Sequence, residues 1–388
     1  MATSTALSPA AALTIVALAC GCSPSRSGFA ADGGSGDFGS FPDGGGGGGS
    51  SVCEPNPANY DIPGNDCDDD GDGKVDNTIV CDGNLPASGT ARDFASAIGL
   101  CQDAGAGKWG IISAELTNGY GPGIPAVGQH AILPHFGSVI RPREGSRLAV
   151  LSSGYAFQCD DGNPGAGCAG NGESDPYFKG EQVGMTGLGT APPGYPKPAS
   201  GCQNASDVYD AIGVKLQVLV PANAQGLQFD FDFYSGEWPE YVCTKYNDSF
   251  VAWLTSSAYV GNDGDLNISF DGSGNPVSVN NAFFDRCTTN TVTGCAGGPA
   301  GTAACAGGPS ELAGTGFYDL ATYCGAVSTG GGATGWLTTK APVKQAETIT
   351  LQFIIWDTGD QSWDSSVLVD NFQWQPGPTH TGTGRPAQ

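Results

Sequence analysis

Three stretches in the second half of the chain alternate apolar and polar positions. Val214, Leu216, Val218 and Val220 alternate with Lys215, Gln217 and Leu219. Leu227, Phe229, Phe231 and Phe233 alternate with Gln228, Asp230, Asp232 and Tyr234. Ile349, Leu351, Phe353 and Ile355 alternate with Thr350, Gln352 and Ile354. Successive side chains of a strand point to opposite faces, so each run predicts a β-strand with one face in a core. One helical pattern precedes them: Phe94, Ala97, Ile98 and Cys101 predict a helix over residues 91–102. The crossover helices of a parallel α/β fold are missing. The predicted fold is mostly β, a jelly-roll-like antiparallel β-sandwich with one short helix and long Gly/Pro/Cys-rich insertions.

Composition agrees with short strands and many turns. The 388 residues include 63 Gly and 26 Pro, and only 14% are charged. Asp and Glu number 39 against 15 Lys and Arg, a formal net charge of −24. That field repels nucleic acid and anionic membrane surface and favours cations, so no nucleic-acid partner is expected.

The chain opens with an apolar run, Ala11 to Ala19, of signal-peptide length and too short to span a bilayer. Cys20-Gly21-Cys22-Ser23 follows, which resembles a bacterial lipoprotein signal with lipid on the cysteine at the cleavage point. No Lys or Arg precedes the run, a departure from that pattern. Cysteine parity selects between the two thiols. Of 14 cysteines, cleavage before Cys22 discards one and lipidates one, leaving 14 − 2 = 12, an even number. Cleavage before the alternative, Cys20, leaves 14 − 1 = 13. Export to an oxidising compartment follows from so many cysteines behind a signal segment. The expected organisation is a signal segment (1–22), a disordered Gly/Ser tether (23–52), an Asp-rich metal-binding motif (53–80), a β-sandwich (81–375) and a disordered tail (376–388). Cys159 and Cys168 close a small loop and are expected to pair. Cys287, Cys295, Cys305 and Cys324 can staple a second Gly-rich excursion, with connectivity left open.

The sharpest local motif is Asp66-Cys67-Asp68-Asp69-Asp70-Gly71-Asp72-Gly73-Lys74-Val75-Asp76. Counted from Asp68, acids fall at positions one, three, five (Asp70, Asp72) and nine (Asp76), with Gly73 at six. Alternate carboxylates converge on a hard cation and the Gly permits the turn, which is the first part of a calcium loop. Ile79 stands at position twelve, where such a loop usually has Glu. Asp66 is a candidate to complete the shell. The segment also resembles the Asp-rich metal-binding motif of MopE-like secreted proteins, which brings in copper. Carboxylates without nearby His or Met favour Ca²⁺ instead. Two further groups of acids lie where strands run out into loops: Glu237, Glu240, Asn247 and Asp248, then Asp357, Asp360, Asp364 and Asp370. Meeting at one edge of a sandwich they would hold a cation; apart, they would cap turns.

These segments carry a family resemblance. Tyr234-Ser235-Gly236-Glu237-Trp238-Pro239-Glu240-Tyr241-Val242 leads into Tyr246-Asn247-Asp248-Ser249-Phe250. Pro276-Val277-Ser278-Val279-Asn280-Asn281 and Trp356-Asp357-Thr358-Gly359-Asp360 follow, the last running into Asp364-Ser365. Together they resemble the choice-of-anchor L domain of bacterial surface proteins. Upstream elements such as Pro142-Arg143-Glu144-Gly145-Ser146 are similar to the form found in myxobacterial lipoproteins. The resemblance covers about 77–375 and implies a surface-attached, mostly β protein.

Enzyme signatures are weak. Gly107-Lys108 is followed by Trp109, not the Ser or Thr of a phosphate loop, and His130 and His135 have no helical zinc-pair context. Carboxylate-only hydrolysis would start from Glu237 and Glu240. The expected function is a non-enzymatic, Ca²⁺-stabilised binding or adhesion module at the outer membrane or cell surface. It would be held to the membrane by its lipid and take a glycan or protein ligand. A secreted carboxylate-dependent hydrolase and a purely structural envelope protein are the alternatives.

Overall fold

The alternating runs form the long strands, and the computed structural model describes residues 53–77, 79–157, 187–261, 263–281 and 283–386. Cys20, Cys22, the tether, and Cys159 and Cys168 lie outside the described residues. The helix is α1 (Ala91–Ala97). The strands are β1 (Gly110–Thr117), β2 (His130–Leu133), β3 (Leu148–Ser152), β4 (Val208–Leu219), β5 (Gly226–Ser235) and β6 (Ser249–Thr255). Then come β7 (Val277–Ser278), β8 (Thr291–Thr293), β9 (Gly301–Ala303), β10 (Leu320–Tyr323), β11 (Ala326–Thr329) and β12 (Gly332–Ala333). The chain closes with β13 (Leu337–Pro342), β14 (Thr348–Thr358), β15 (Ser365–Gln375) and β16 (Gly382–Gly384).

One sheet runs β1-β4-β14-β6-β7 and the other β16-β13-β5-β15-β3-β2, with β12 also on β5. All pairings are antiparallel. The core lies between the two sheets. Val214, Leu216 and Val218 of β4 and Leu351, Phe353 and Ile355 of β14 face Phe229, Phe231 and Phe233 of β5, all in one cluster. Phe353 stands opposite Val214 on one side and Ala252 on the other. Its ring meets Phe229 at 5.0 Å and Phe94 of α1 at 6.2 Å.

The outer faces are partly covered as well. Tyr234, Val150 and Leu368 pack beneath Phe136 and Phe317 on one side. Trp253, Ile354 and Trp356 pack with Tyr195 on the other. That covering is why Ile354 and Tyr234 occupy the outward phase of their strands. Two disulfide-stapled hairpins, β8–β9 and β10–β11, form the Gly-rich excursion.

Two boundaries differ from the sequence reading. The helix ends at Ala97 rather than Gln102, because Gly99 adopts φ +96° and turns the chain out of the helix. Its start is capped by Thr90 and Asp93 in a reciprocal capping box. The tail continues past Gln375 as an edge strand: β16 pairs with β13, and Thr383 and Thr339 share a hydroxyl hydrogen bond of 2.7 Å. Arg385 fixes this end by donating to the Thr334 carbonyl at 2.8 Å. Among the described residues no helix is long and apolar enough to cross a membrane.

Candidate metal centres

The Asp-rich segment is laid against the sandwich. Tyr60 and Asn223 exchange two hydrogen bonds of 2.8 Å, and Trp109 Nε1 donates to the Asn59 carbonyl at 2.7 Å. The Cys53–Cys67 disulfide closes the segment on itself. Buried Asp61 organises its interior: its two oxygens accept the N–H groups of Asp69 (3.1 Å) and Asn77 (2.6 Å). Gly73 takes φ +91° and donates its N–H to Asp68 Oδ2 at 3.0 Å, so the chain turns back on the first carboxylate. Asp72 N–H donates to Asp70 Oδ1 (3.0 Å) and Lys74 N–H to Asp72 Oδ1 (2.8 Å).

Asp68, Asp70 and Asp72 each thereby place one oxygen within 4.8 Å of the others. Asp68 Oδ1 and Asn77 Oδ1 are enclosed without a hydrogen-bond partner. Burial pushes the Asp70 carboxyl up, with the negative charges of Asp72, Asp61 and Asp68 adding to it. The Lys74 N–H holds Asp72 down. Asp76 is turned elsewhere, accepting the N–H groups of Asn65 (3.0 Å) and Asp66 (3.2 Å). Asp66 itself is a turn residue at φ +58° and is not among the converging acids.

The second group sits at one end of the sandwich. Register brings the strand ends together: Trp356 lies opposite Ser249, Ser365 opposite Ser235, and Ser366 opposite Ser152. The loop between β5 and β6 carries Glu237, Asn247 and Asp248, and the end of β14 carries Asp357; they are 2%, 0%, 1% and 1% exposed. Asp248 accepts the Thr358 N–H at 3.0 Å and the Ser365 hydroxyl at 2.8 Å. Glu237 Oε2, Asn247 Oδ1 and both oxygens of Asp357 have no hydrogen-bond partner, although Asp248 and Ser153 stand beside Asp357.

Burial lifts the Asp248 carboxyl to about 7 despite those two donors. It lifts Asp357 well above the usual range, with Asp248 and Asp364 adding repulsion. Glu237 is raised the same way by burial and then by Asp248 and Asp360. Asp364 packs on Gly154, where a Cβ would stand 1.9 Å from its Oδ2, so only glycine fits. These oxygens are spread more widely than those of the Asp loop. Among the described residues only Asp68, Asp70 and Asp72 form a trio within 4.8 Å. The Cys202–Cys243 disulfide ties down the loop that carries Glu237 and Asp248.

The remaining predicted ligands lie outside this group. Half-buried Asp360 accepts the Ser362 N–H at 3.0 Å. Glu240, also half-buried, accepts the Ala296 N–H on its carbonyl at 2.9 Å, joining the loop to the stapled excursion. Asp370 is on the outer face of β15, paired with Asp230 of β5, and receives the N–H groups of Arg143 (2.6 Å) and Asn371 (2.6 Å). Alternation explains it: Val367 and Val369 face the core, so Asp370 cannot join acids at the strand ends.

Above the buried acids is an aromatic rim. Tyr241 meets Tyr246 edge-on at 5.6 Å and Trp363 at 6.5 Å. Sequence reasoning missed Asp61, and it missed Ser153 and Gly154. The Ser153-Gly154 pair after an apolar run repeats the Ser235-Gly236 pattern that ends β5, and that signal was present.

No curated protein and no solved structure matches the chain. Residues 201–373, from the Cys202 anchor through both acid-bearing loops to β15, match the family model of the Choice-of-anchor L domain, which points to a cell-surface-associated module.

Proposed function

We propose that the chain is a non-catalytic binding or adhesion module, lipid-anchored at Cys22 and stabilised by Ca²⁺ in the Asp68–Asp72 loop. The observation that carries the calcium reading is the convergence of the Asp68, Asp70 and Asp72 oxygens within 4.8 Å, in a loop already turned by Gly73 and entered from the disulfide-bonded Cys67. The donors are all oxygen, which suits Ca²⁺ and not copper. The charge of −24 raises the local concentration of cations around it.

The half-exposed Tyr241, Tyr246 and Trp363 offer flat faces for a glycan or protein ligand. Burial of Glu237 supports the non-catalytic reading, because a general acid or base has to reach its substrate. The Gly/Ser-rich stretch 23–52 would lift the folded part off the membrane.

Antibody labelling of intact cells tests the placement. Wild type should label and fractionate with membranes, and Cys22→Ala should be released from them. Wild-type protein confined within unbroken cells would sink the surface reading. Terbium binding by purified protein tests the loop: Asp70→Asn should weaken it at least tenfold, and unchanged affinity would remove calcium from that loop.

A further inference from the structure

Two of the buried carboxylates at the sandwich end lack what burial demands. A charge taken out of water has to be paired, coordinated or neutralised. Among the described ion pairs none reaches Glu237, Asp248 or Asp357. The nearby cation, Lys245, is exposed, lies over the Tyr246 ring at 4.8 Å and acts on Asp360. Asp248 accepts two hydrogen bonds, the Asp248 N–H faces Glu237, and Asn247 Nδ2 donates to the Lys197 carbonyl at 3.3 Å, yet four enclosed acceptor atoms have no partner: Glu237 Oε2, Asn247 Oδ1 and both Asp357 oxygens. Side chains that merely capped turns would have these oxygens on backbone N–H groups, as Asp370 and Asp61 do.

We propose that Glu237, Asn247, Asp248 and Asp357 form a buried Ca²⁺ site that locks the end of the β-sandwich, separate from the Asp68–Asp72 loop. Glu237, Asn247 and Asp248 come from the loop 236–248, and Asp357 from the end of β14, which runs on into a second loop, 359–364. One ion there clamps β5, β6 and β14 together. The donors are hard oxygens, a neutral amide carbonyl among them, and the disulfide-bonded Cys202 and Cys243 offer no thiolate. That set selects calcium over zinc or copper. The carboxylates have to draw closer than they stand, since they form no trio within 4.8 Å, and the ion supplies the attraction that like charges lack. Glu240, Asp360 and Asp370 are not ligands. Because the aromatic rim of Tyr241, Tyr246 and Trp363 grows from these two loops, loading the site fixes the surface a ligand meets.

Calorimetric titration of chelator-stripped protein with CaCl₂ at pH 7.5 tests this, using Asp70→Asn to silence the exposed loop. Asp70→Asn should keep one equivalent of bound Ca²⁺ and a melting temperature that rises with Ca²⁺. Adding Asp357→Asn to it, or Glu237→Gln, should abolish both while circular dichroism stays β. Two carboxamide variants are used so that one misfolded protein does not decide the outcome. Asp70→Asn protein that binds no Ca²⁺ overturns the buried site. So do carboxamide variants that bind Ca²⁺ like their parent and melt higher in chelator, as removal of an idle buried acid predicts. Failure of the loop reading looks different: Asp70→Asn then binds as much Ca²⁺ as wild type.

Discussion

Cutting the Cys202–Cys243 disulfide should cost the protein a large part of its stability, and the size follows from chain length alone. The bond joins residues 41 apart, bridging the irregular segment that leads into β4 to the loop between β5 and β6. Releasing that loop restores entropy to the unfolded chain worth ~4 kcal/mol by the loop-closure relation. A domain holds a net of roughly 5–15 kcal/mol, so Cys202→Ser with Cys243→Ser should fold but be marginal. Urea unfolding followed by tryptophan fluorescence is the assay. At roughly 2–3 kcal/mol per molar urea, the midpoint should fall by roughly 1–2 M with the slope unchanged. Calcium should also bind more weakly, because Cys243 lies inside the loop that carries Glu237 and Asp248. A loss below about 1 kcal/mol, far under the 2–5 kcal/mol typical of native disulfides, would refute the reasoning and show that the loop is held by its packing alone.

Phe353→Ala removes the ring shared by α1, β5 and β6 and should cost about 3–5 kcal/mol in chemical unfolding. Asp232 is fully enclosed, and burial, then Glu311, lifts its carboxyl to about 7. The folded state therefore keeps a proton that the unfolded chain releases near pH 4. This contribution is complete below pH ~4 and is lost as pH rises through 7, at about 1.4 kcal/mol per pH unit. Asp232→Asn should flatten the stability profile between pH 5 and pH 7 by that slope, read from urea midpoints in chelator. Thr90→Ala breaks the capping box of α1 and should cost about 1 kcal/mol, with Thr90→Ser restoring most of it.

Strands were the legible part of the fold. Period-two alternation placed β4, β5 and β14 and named their inward residues, because a buried face tolerates no polar side chain in phase. Strand order was not legible: β14 lies between β4 and β6, a pairing set by contacts between segments far apart in the sequence. Nor was β16, whose Gly-Thr-Gly has no apolar pattern and is held by Thr383 and Arg385.

At the acid clusters the sequence named residue types but not their environment. Spacing alone put Asp68, Asp70 and Asp72 in one turn, and they converge. Spacing could not separate Asp357, buried without a partner, from Asp370, buried with backbone donors, since that depends on which loop packs over each. Cys67 finds Cys53 and Cys202 finds Cys243 by the same long-range packing.

Thermal melting of the wild-type protein at pH 7.5, in millimolar CaCl₂ and in excess chelator, tests the central claim most directly. An ion at a hundred times its dissociation constant adds ~2.7 kcal/mol. At roughly 2–4 °C per kcal/mol for a domain of this class, that raises the melting temperature by roughly 5–10 °C for each occupied site. The account predicts a rise of at least that size, reproduced poorly by Mg²⁺. Superimposable curves in calcium and chelator would contradict it.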